Sequence, residues 1–265
     1  MNDPNAAFSE PSTTAASRSA SAVEGRLGSA FWRRFFGFYD TLLESVPYQR
    51  MVARNGELLA PAPGDEILDA GTGTGNVALD LLGRGARVVG IDYFESALEI
   101  CRAKAPAAEF RFGDLTGRLD FPDDRFDHVA CVNVIYTLAP ADQPHAVREL
   151  CRVLKPGGRA AITVFGAGFK ALKVYRETLA QRQRTAGWFD TIGFALRYLV
   201  NTVRILSYVA RIKRQQRSGQ YTFFSRDQLE RLLTEGGFVV EGIEPAFAGQ
   251  CWIALATKPR NGSAK

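Results

Sequence analysis

The stretch Ile67-Leu68-Asp69-Ala70-Gly71-Thr72-Gly73-Thr74-Gly75-Asn76 sets an apolar strand-like run against a turn with glycine at every second position, and a helical pattern follows at once. Glycine permits positive φ and a close approach of backbone to a ligand. The free amides at the start of the next helix favour an anionic or carboxylate group. Two registers fit the run: Gly71-x-Gly73-x-Gly75, and the dinucleotide-type Gly73-x-Gly75-x-x-Ala78. The first is favoured, because the strand ends at about Ala70 and Asp69 at its tip would repel a pyrophosphate. Asp92 ends the next strand, where a carboxylate can accept hydrogen bonds from both hydroxyls of a ribose, a feature that both registers share.

Around this turn the chain alternates between strands and helices. Strands are expected at 66–70, 87–92, 109–112, 126–133 and 159–165, with helices at 76–84, 96–105 and 143–154. The strands are continuously apolar (Val88-Val89-Gly90-Ile91; Val129-Ala130-Cys131-Val132), as strands buried on both faces should be. This pattern predicts an α/β fold, an open and mostly parallel sheet with helices on both faces. The alternation then breaks. Residues 166–220 contain no strand-like run and read as helical, after which a helix at 225–235, with Ser225 as its N-cap, and strands at 238–243 and 251–257 complete a sheet of seven. The expected organisation is a disordered tail (1–30), a helical cap rich in aromatics (31–64), the core (65–165), an insertion (166–220), the end of the sheet (221–258) and a short tail (259–265).

Charge bears on partners. The net charge is +5, yet residues 166–220 hold 11 Lys/Arg against 2 Asp/Glu, and the other 210 residues hold 22 against 26. One basic segment therefore sits on a mildly acidic domain. Four cysteines, at 101, 131, 151 and 251, form no CxxC pair, and His128 and Cys131 point to opposite faces of one strand. No metal site is predicted. Widely spaced cysteines in a chain this long suggest reduced core thiols and a cytoplasmic setting. No stretch of 18 residues is free of charge, so no transmembrane helix is expected. The Ala/Ser/Thr-rich first 22 residues resemble neither a signal nor a transit peptide.

Several motifs together make the chain similar to the class I S-adenosylmethionine-dependent methyltransferases. They are Leu68-Asp69-Ala70-Gly71-Thr72-Gly73-Thr74-Gly75, Gly90-Ile91-Asp92, Gly113-Asp114-Leu115 and Phe126-Asp127-His128-Val129. The most distinctive is Arg148-Glu149-Leu150-Cys151-Arg152-Val153-Leu154-Lys155-Pro156-Gly157-Gly158, a helix closing on a Pro-Gly-Gly turn before a strand. The resemblance covers about 60–165 and 222–258. It implies a Rossmann-like seven-stranded sheet with a helical lid inserted after the fifth strand, and S-adenosylmethionine as methyl donor. Residue by residue, it implies that Gly71, Thr72, Gly73 and Gly75 line the methionine and ribose part of the donor. Asp69 would help to hold its amino group, and Asp92 would take the ribose hydroxyls. Tyr93 would pack beside the adenine, Asp114 with Leu115 would meet the adenine edge, and Asn133 would face the methionine moiety.

Methyl transfer from a sulfonium needs alignment and exclusion of water more than acid–base machinery. His128 lies in an apolar strand pattern and His145 near a helix start, and neither is expected to catalyse. Tyr136, just past the fourth strand, and Tyr39, in the N-terminal cap, are the candidates to touch the acceptor. After the fourth strand, Asn133-Val134-Ile135-Tyr136 lacks the paired prolines usual in methylation of nucleobase amines, and the chain has no Pro-Cys nucleophile motif. Nucleic acid is therefore disfavoured.

Within the basic segment, Arg197, Asn201, Arg204, Tyr208 and Arg211 recur at steps of four and three and form one thin polar stripe, with apolar residues around the rest. Such a helix suits the interface of an anionic membrane, or a lid or dimer face without lipid. Every version points to a hydrophobic or amphiphilic small molecule, a lipid for example, as substrate. The alternatives are a soluble natural-product methyltransferase and a donor-binding regulatory protein without turnover.

Overall fold

The computed structural model of the chain describes residues 28–260, apart from the side chains at positions 29, 197–202, 205 and 215. Residues 1–27 of the expected tail (1–30), the last five residues, and the stripe side chains Arg197 and Asn201 lie outside the described residues, while Ser29 and Ala30 of that tail already belong to the first helix.

The chain begins with α1 (Ser29–Tyr39), a 3-10 turn (Asp40–Glu44) and α2 (Val46–Leu59). Ser45, with extended backbone, and Pro47 in the first turn of α2 divide this stretch into two helices. Then follow β1 (Glu66–Ala70), α3 (Asn76–Gly83), β2 (Arg87–Asp92), α4 (Glu95–Lys104), β3 (Glu109–Phe112) and β4 (Phe126–Val132). After a 3-10 turn (Ile135–Thr137) come α5 (Gln143–Val153), β5 (Leu154–Phe165), α6 (Ala171–Arg217), α7 (Arg226–Glu235), β6 (Val239–Ala246) and β7 (Cys251–Thr257).

The seven strands form one sheet in the order β3-β2-β1-β4-β5-β7-β6. The first five are parallel, and β7 runs antiparallel to both of its neighbours. Its centre is apolar on both faces: Ile67, Leu68, Val129, Ala130, Ile162 and Val164 are all fully buried, which explains the continuous apolar runs. Strand order reverses between β1 and β4, and the crevice beyond their C-terminal ends is where such a sheet takes its ligand.

Two details differ from the sequence reading. The Lys155-Pro156-Gly157-Gly158 turn does not separate a helix from a strand. Leu154 already pairs with Phe126, the next pair is His128 with Arg159, and the intervening residues loop out, since proline has no amide for the ladder. Gly157 takes φ +80° there and donates its amide to the Lys258 carbonyl at 2.8 Å. The insertion, in turn, is one long helix interrupted by Gly187, whose φ of 80° and ψ of 177° only glycine adopts readily. Across this break Arg182 pairs with Asp190 at 2.7 Å and lies over the ring of Phe194. The N-cap of α7 is as expected: Ser225 Oγ accepts from the Gln228 amide, and the Gln228 side chain accepts from the Ser225 amide.

No helix among the described residues is long and apolar enough to cross a membrane. All four cysteines are free and buried.

Candidate active site

At the C-terminal edge of β1 the chain turns through Gly71 and Gly73, with φ of +77° and +56°. The amides of Gly71 and Thr72 donate to the Ile91 carbonyl at 2.8 and 2.9 Å, which ties the turn to β2. A Cβ on Gly71 would stand 2.2 Å from Val134 Cγ2, so only glycine fits against that side chain. At Gly73 a Cβ would meet nothing nearer than a Phe36 ring atom at 4.0 Å, because this position opens onto a cavity. Gly75 has a different task. It does not line the cavity, and its α-carbon packs against Cys101 on α4, where a Cβ would come 3.1 Å from the sulfur.

The cavity encloses about 770 Å³. At one end lie the carboxylates of Asp69, Asp92 and Asp114, from the ends of β1 and β2 and the loop after β3, together with Thr72, Tyr93, Leu115 and Asn133. Asp92 is buried; it accepts from the Gly73 amide through Oδ2 and from the Phe94 amide through Oδ1, each at 2.9 Å. Burial raises its pKa against the opposing pull of those amides. Asp69 accepts the Thr72 hydroxyl at 2.7 Å. Burial foremost, with the charge of Asp92 adding to it, pushes Asp69 up to about 7. Asp114 Oδ1 accepts from the amide and the hydroxyl of Thr116, which shapes the loop. Asn133 takes a left-handed conformation at the end of β4, with φ of 57°.

The other end of the cavity is aromatic. Tyr136 is buried, with Phe165, Tyr221 and Phe223 packed about its ring at centroid distances of 4.8, 5.8 and 5.9 Å. Tyr39 lies opposite, 5.8 Å from the ring of Tyr48. Burial first, and mutual repulsion with neighbouring ionisable groups second, hold the phenols of Tyr39 and Tyr136 well above their usual range. Both are neutral hydroxyls near pH 7. Val174 from the start of α6, and Leu206, Val209 and Ile212 from its last turns, cover this chamber. No histidine, lysine, arginine or glutamate is among the described residues that line the cavity. His128 sits low on β4 beside Asp65, at 3.2 Å. His145 is half-buried on α5, away from the cavity lining.

Of the residues that the sequence assigned to the donor or the acceptor, all but Gly75 line this one cavity. Sequence reasoning missed Asp40, Tyr48, Asn76 and Lys104, which join the N-terminal segment to the glycine turn. Thr74 Oγ1 and Asn76 Nδ2 donate to Asp40, and Asn76 also donates to the Tyr48 hydroxyl. These partners are far apart in sequence, and only the capping of one motif by another chain segment reveals them.

A family model for the methyltransferase domain matches residues 67–158. A demethylmenaquinone methyltransferase of Symbiobacterium thermophilum is 30% identical over 217 residues, covering 76% of this chain and 78% of the relative. The chain belongs to the class I S-adenosylmethionine-dependent methyltransferases. A second demethylmenaquinone methyltransferase, from Clavibacter sepedonicus, is 40% identical over 149 residues, or 55% of this chain and 57% of that one. In fold, the chain matches a TehB-like S-adenosylmethionine-dependent methyltransferase of Corynebacterium glutamicum, with a TM-score of 0.57 at 20% identity over 86% of this chain and 98% of that structure.

This methyltransferase uses S-adenosylmethionine as methyl donor, and the residues present fit the donor's chemistry. It is a cationic molecule with a ribose diol, and the cavity end beside the glycine turn is rich in carboxylates and holds no basic side chain among those described. The open face of Gly73 is the space that a Cβ would fill. Asp92 accepts backbone amides through both oxygens and, as a carboxylate, has capacity for further donors such as hydroxyls.

Proposed function

We propose that the protein transfers the methyl group of S-adenosylmethionine to a lipid or another hydrophobic small molecule whose reacting head enters the aromatic chamber. One observation carries this reading: a single cavity joins the carboxylate-lined glycine turn to a chamber walled by Tyr136, Phe165, Phe169, Phe223 and Phe247 under an apolar helix. A ring-bearing acceptor would bury most of its surface there, with edge-on aromatic contacts adding to the gain. The names of the relatives, demethylmenaquinone methyltransferases, support an acceptor of this kind.

The donor supplies a methyl group already activated on sulfur. In this reading Asp92 accepts the ribose hydroxyls, Asp69 faces the amino group, Tyr93 and Leu115 flank the adenine with Asp114 at its edge, and Asn133 faces the methionine portion. The Gly71-Thr72-Gly73 backbone lies against the ribose. Tyr39 and Tyr136, held as neutral phenols, orient an acceptor oxygen through hydrogen bonds. The aromatic walls and α6 exclude water, which holds the nucleophile in line and prevents loss of the methyl to solvent.

Two measurements test the reading. Calorimetry should show S-adenosylmethionine binding, and incubation with reduced demethylmenaquinone should give a product in which one hydrogen is replaced by methyl, a net gain of CH2, with S-adenosylhomocysteine and a proton released in equal amount. Donor binding accompanied by methylation of polar acceptors alone contradicts the proposed substrate class.

A further inference from the structure

The outer face of α6 leaves large apolar side chains in solvent. Directly after the break at Gly187, Trp188 is 65% and Phe189 95% exposed. Ile192, Leu196, Val203 and Leu206 are also exposed. At 3.6 residues per turn, Trp188, Ile192, Leu196, Val203 and Leu206 fall within an arc of about 80°. Arg214 and Arg217, both exposed, follow Val203 and Leu206 by three turns, so they continue the same face. Arg204 and Arg211, also exposed, flank it. From residue 191 to 220 the chain has six basic residues and no acidic one. Among the described residues, none of these four arginines has a salt-bridge partner.

We infer that this face of α6 docks on an anionic lipid bilayer, with Trp188 and Phe189 as the inserted tip and Arg214 and Arg217 seated on lipid phosphates. Three features select a bilayer over a second copy of the chain. The arginines lie in line with the apolar side chains, and a second copy of this face, with no acidic residue between 191 and 220, would leave them unpaired, whereas lipid phosphate neutralises them. An apolar stripe with aromatic residues at one end and a basic flank is the pattern of a helix lying in a membrane interface. The stripe also runs into the active site: Leu206 is exposed on the outside and lines the cavity on the inside. A hydrophobic acceptor can thus pass from the interface to the chamber along apolar surface. This last point rests on the substrate reading above; the docking itself does not.

The test is sedimentation of the full chain with sucrose-loaded vesicles, phosphatidylcholine alone or with phosphatidylglycerol added. The wild type should sediment with the anionic vesicles and far less with the neutral ones. Trp188→Ala/Phe189→Ala should weaken partitioning at least about tenfold. Arg214→Gln/Arg217→Gln should weaken it roughly 25-fold, about fivefold per charge. All four side chains are exposed and outside the cavity, so calorimetric donor binding should be unchanged and reports an intact fold. A wild type that stays in the supernatant at low salt overturns the inference. So does a Trp188→Ala/Phe189→Ala variant that partitions normally, or one whose only change is dissociation of a dimer in the ultracentrifuge. Vesicle binding is read without any acceptor. Docking with no methylation of hydrophobic acceptors would leave this inference standing and remove the substrate reading, and turnover without docking would do the reverse.

Discussion

Lys104, in the last turn of α4, places its ammonium 2.9 Å from Oδ2 of Asp40 in the N-terminal segment, and the same group donates to the Thr74 carbonyl and to Asn76 Oδ1, each at 2.7 Å. One cation thus joins the N-terminal segment, the glycine turn and α4. Tyr39, which precedes Asp40, is held over the cavity by this knot.

Replacement of Lys104 by methionine should therefore act on the site from outside it. The pair is only partly buried, with Asp40 39% accessible, so the expected loss of stability is modest, about 1 kcal/mol. Donor affinity should fall as well, by about threefold to tenfold, because the glycine turn and the cap over it both loosen. Thermal unfolding and calorimetry measure the two. An unchanged donor affinity alongside the lowered melting temperature would mean that the knot only staples the fold.

Asp69 predicts a pH dependence of definite sign. Its pKa in the folded protein is pushed up to about 7 by burial. Between about pH 4 and 7 the folded protein keeps a proton that the unfolded chain has released, so the donor-free protein loses stability as pH rises through that window. The buried Asp92, also raised, contributes in the same direction. The cationic donor favours the ionised form, so donor affinity should climb as pH rises through 7. Asp69→Asn should stabilise the donor-free protein at pH 8 by up to a few kcal/mol, and flatten the dependence of affinity on pH. Chemical denaturation at pH 5 and 8, with calorimetry over the same range, checks both halves. A variant less stable than the wild type at pH 8 would refute the account.

The two glycines of the turn should respond differently to alanine. Gly71→Ala combines a positive φ with a Cβ 2.2 Å from Val134 Cγ2, and should cost about 2–5 kcal/mol of stability. Gly73→Ala carries only the strain of its backbone, about 1–2 kcal/mol, since its Cβ enters open space. In the proposed reading that space is the donor's, so Gly73→Ala should fold and yet bind S-adenosylmethionine at least about tenfold more weakly. Denaturation and calorimetry on the pair separate packing from ligand contact, and equal losses of stability would contradict the assignment.

How much of this was written locally can be read from single residues. The α/β alternation was legible because Ile67, Val129 and Ile162 belong to runs apolar on both faces, a pattern with few other solutions. Asp69, Asp92 and Gly71 could be placed from sequence because they lie at or beside the C-terminal ends of β1 and β2, the edge where such sheets bind ligands. Lys104 and Asp40 were not, since their meeting depends on how an N-terminal segment folds back over the turn. Tyr208 was placed on a polar stripe with Arg204 and Arg211. Its ring instead packs against Phe31, Phe35 and Phe38 at 4.9, 5.4 and 4.8 Å. A helix apolar on most of its circumference shows its periodicity in sequence, but not which side turns inward, and tyrosine, apolar in body and polar at the tip, suits either.

The phenols of the chamber give the last prediction. Tyr136 and Tyr39 are both held well above the usual range of tyrosine, chiefly by burial. A phenol so raised is a poor proton acceptor near neutrality, and its hydroxyl can still donate to an acceptor oxygen. If either acted as a base, kcat at saturating donor would rise tenfold for each pH step across the neutral range, the ionised fraction setting the rate. A hydrogen-bonding role gives a kcat that these residues leave flat from pH 6 to 9. Tyr136→Phe and Tyr39→Phe should each lower kcat/KM by about threefold to tenfold, the worth of one hydrogen bond, without changing the shape of the pH profile. Stopped assays of methyl transfer at saturating S-adenosylmethionine measure this. A wild-type profile with a unit slope that either phenylalanine variant abolishes would make that tyrosine the base, and the chamber more than a shaped and dry place for the reaction.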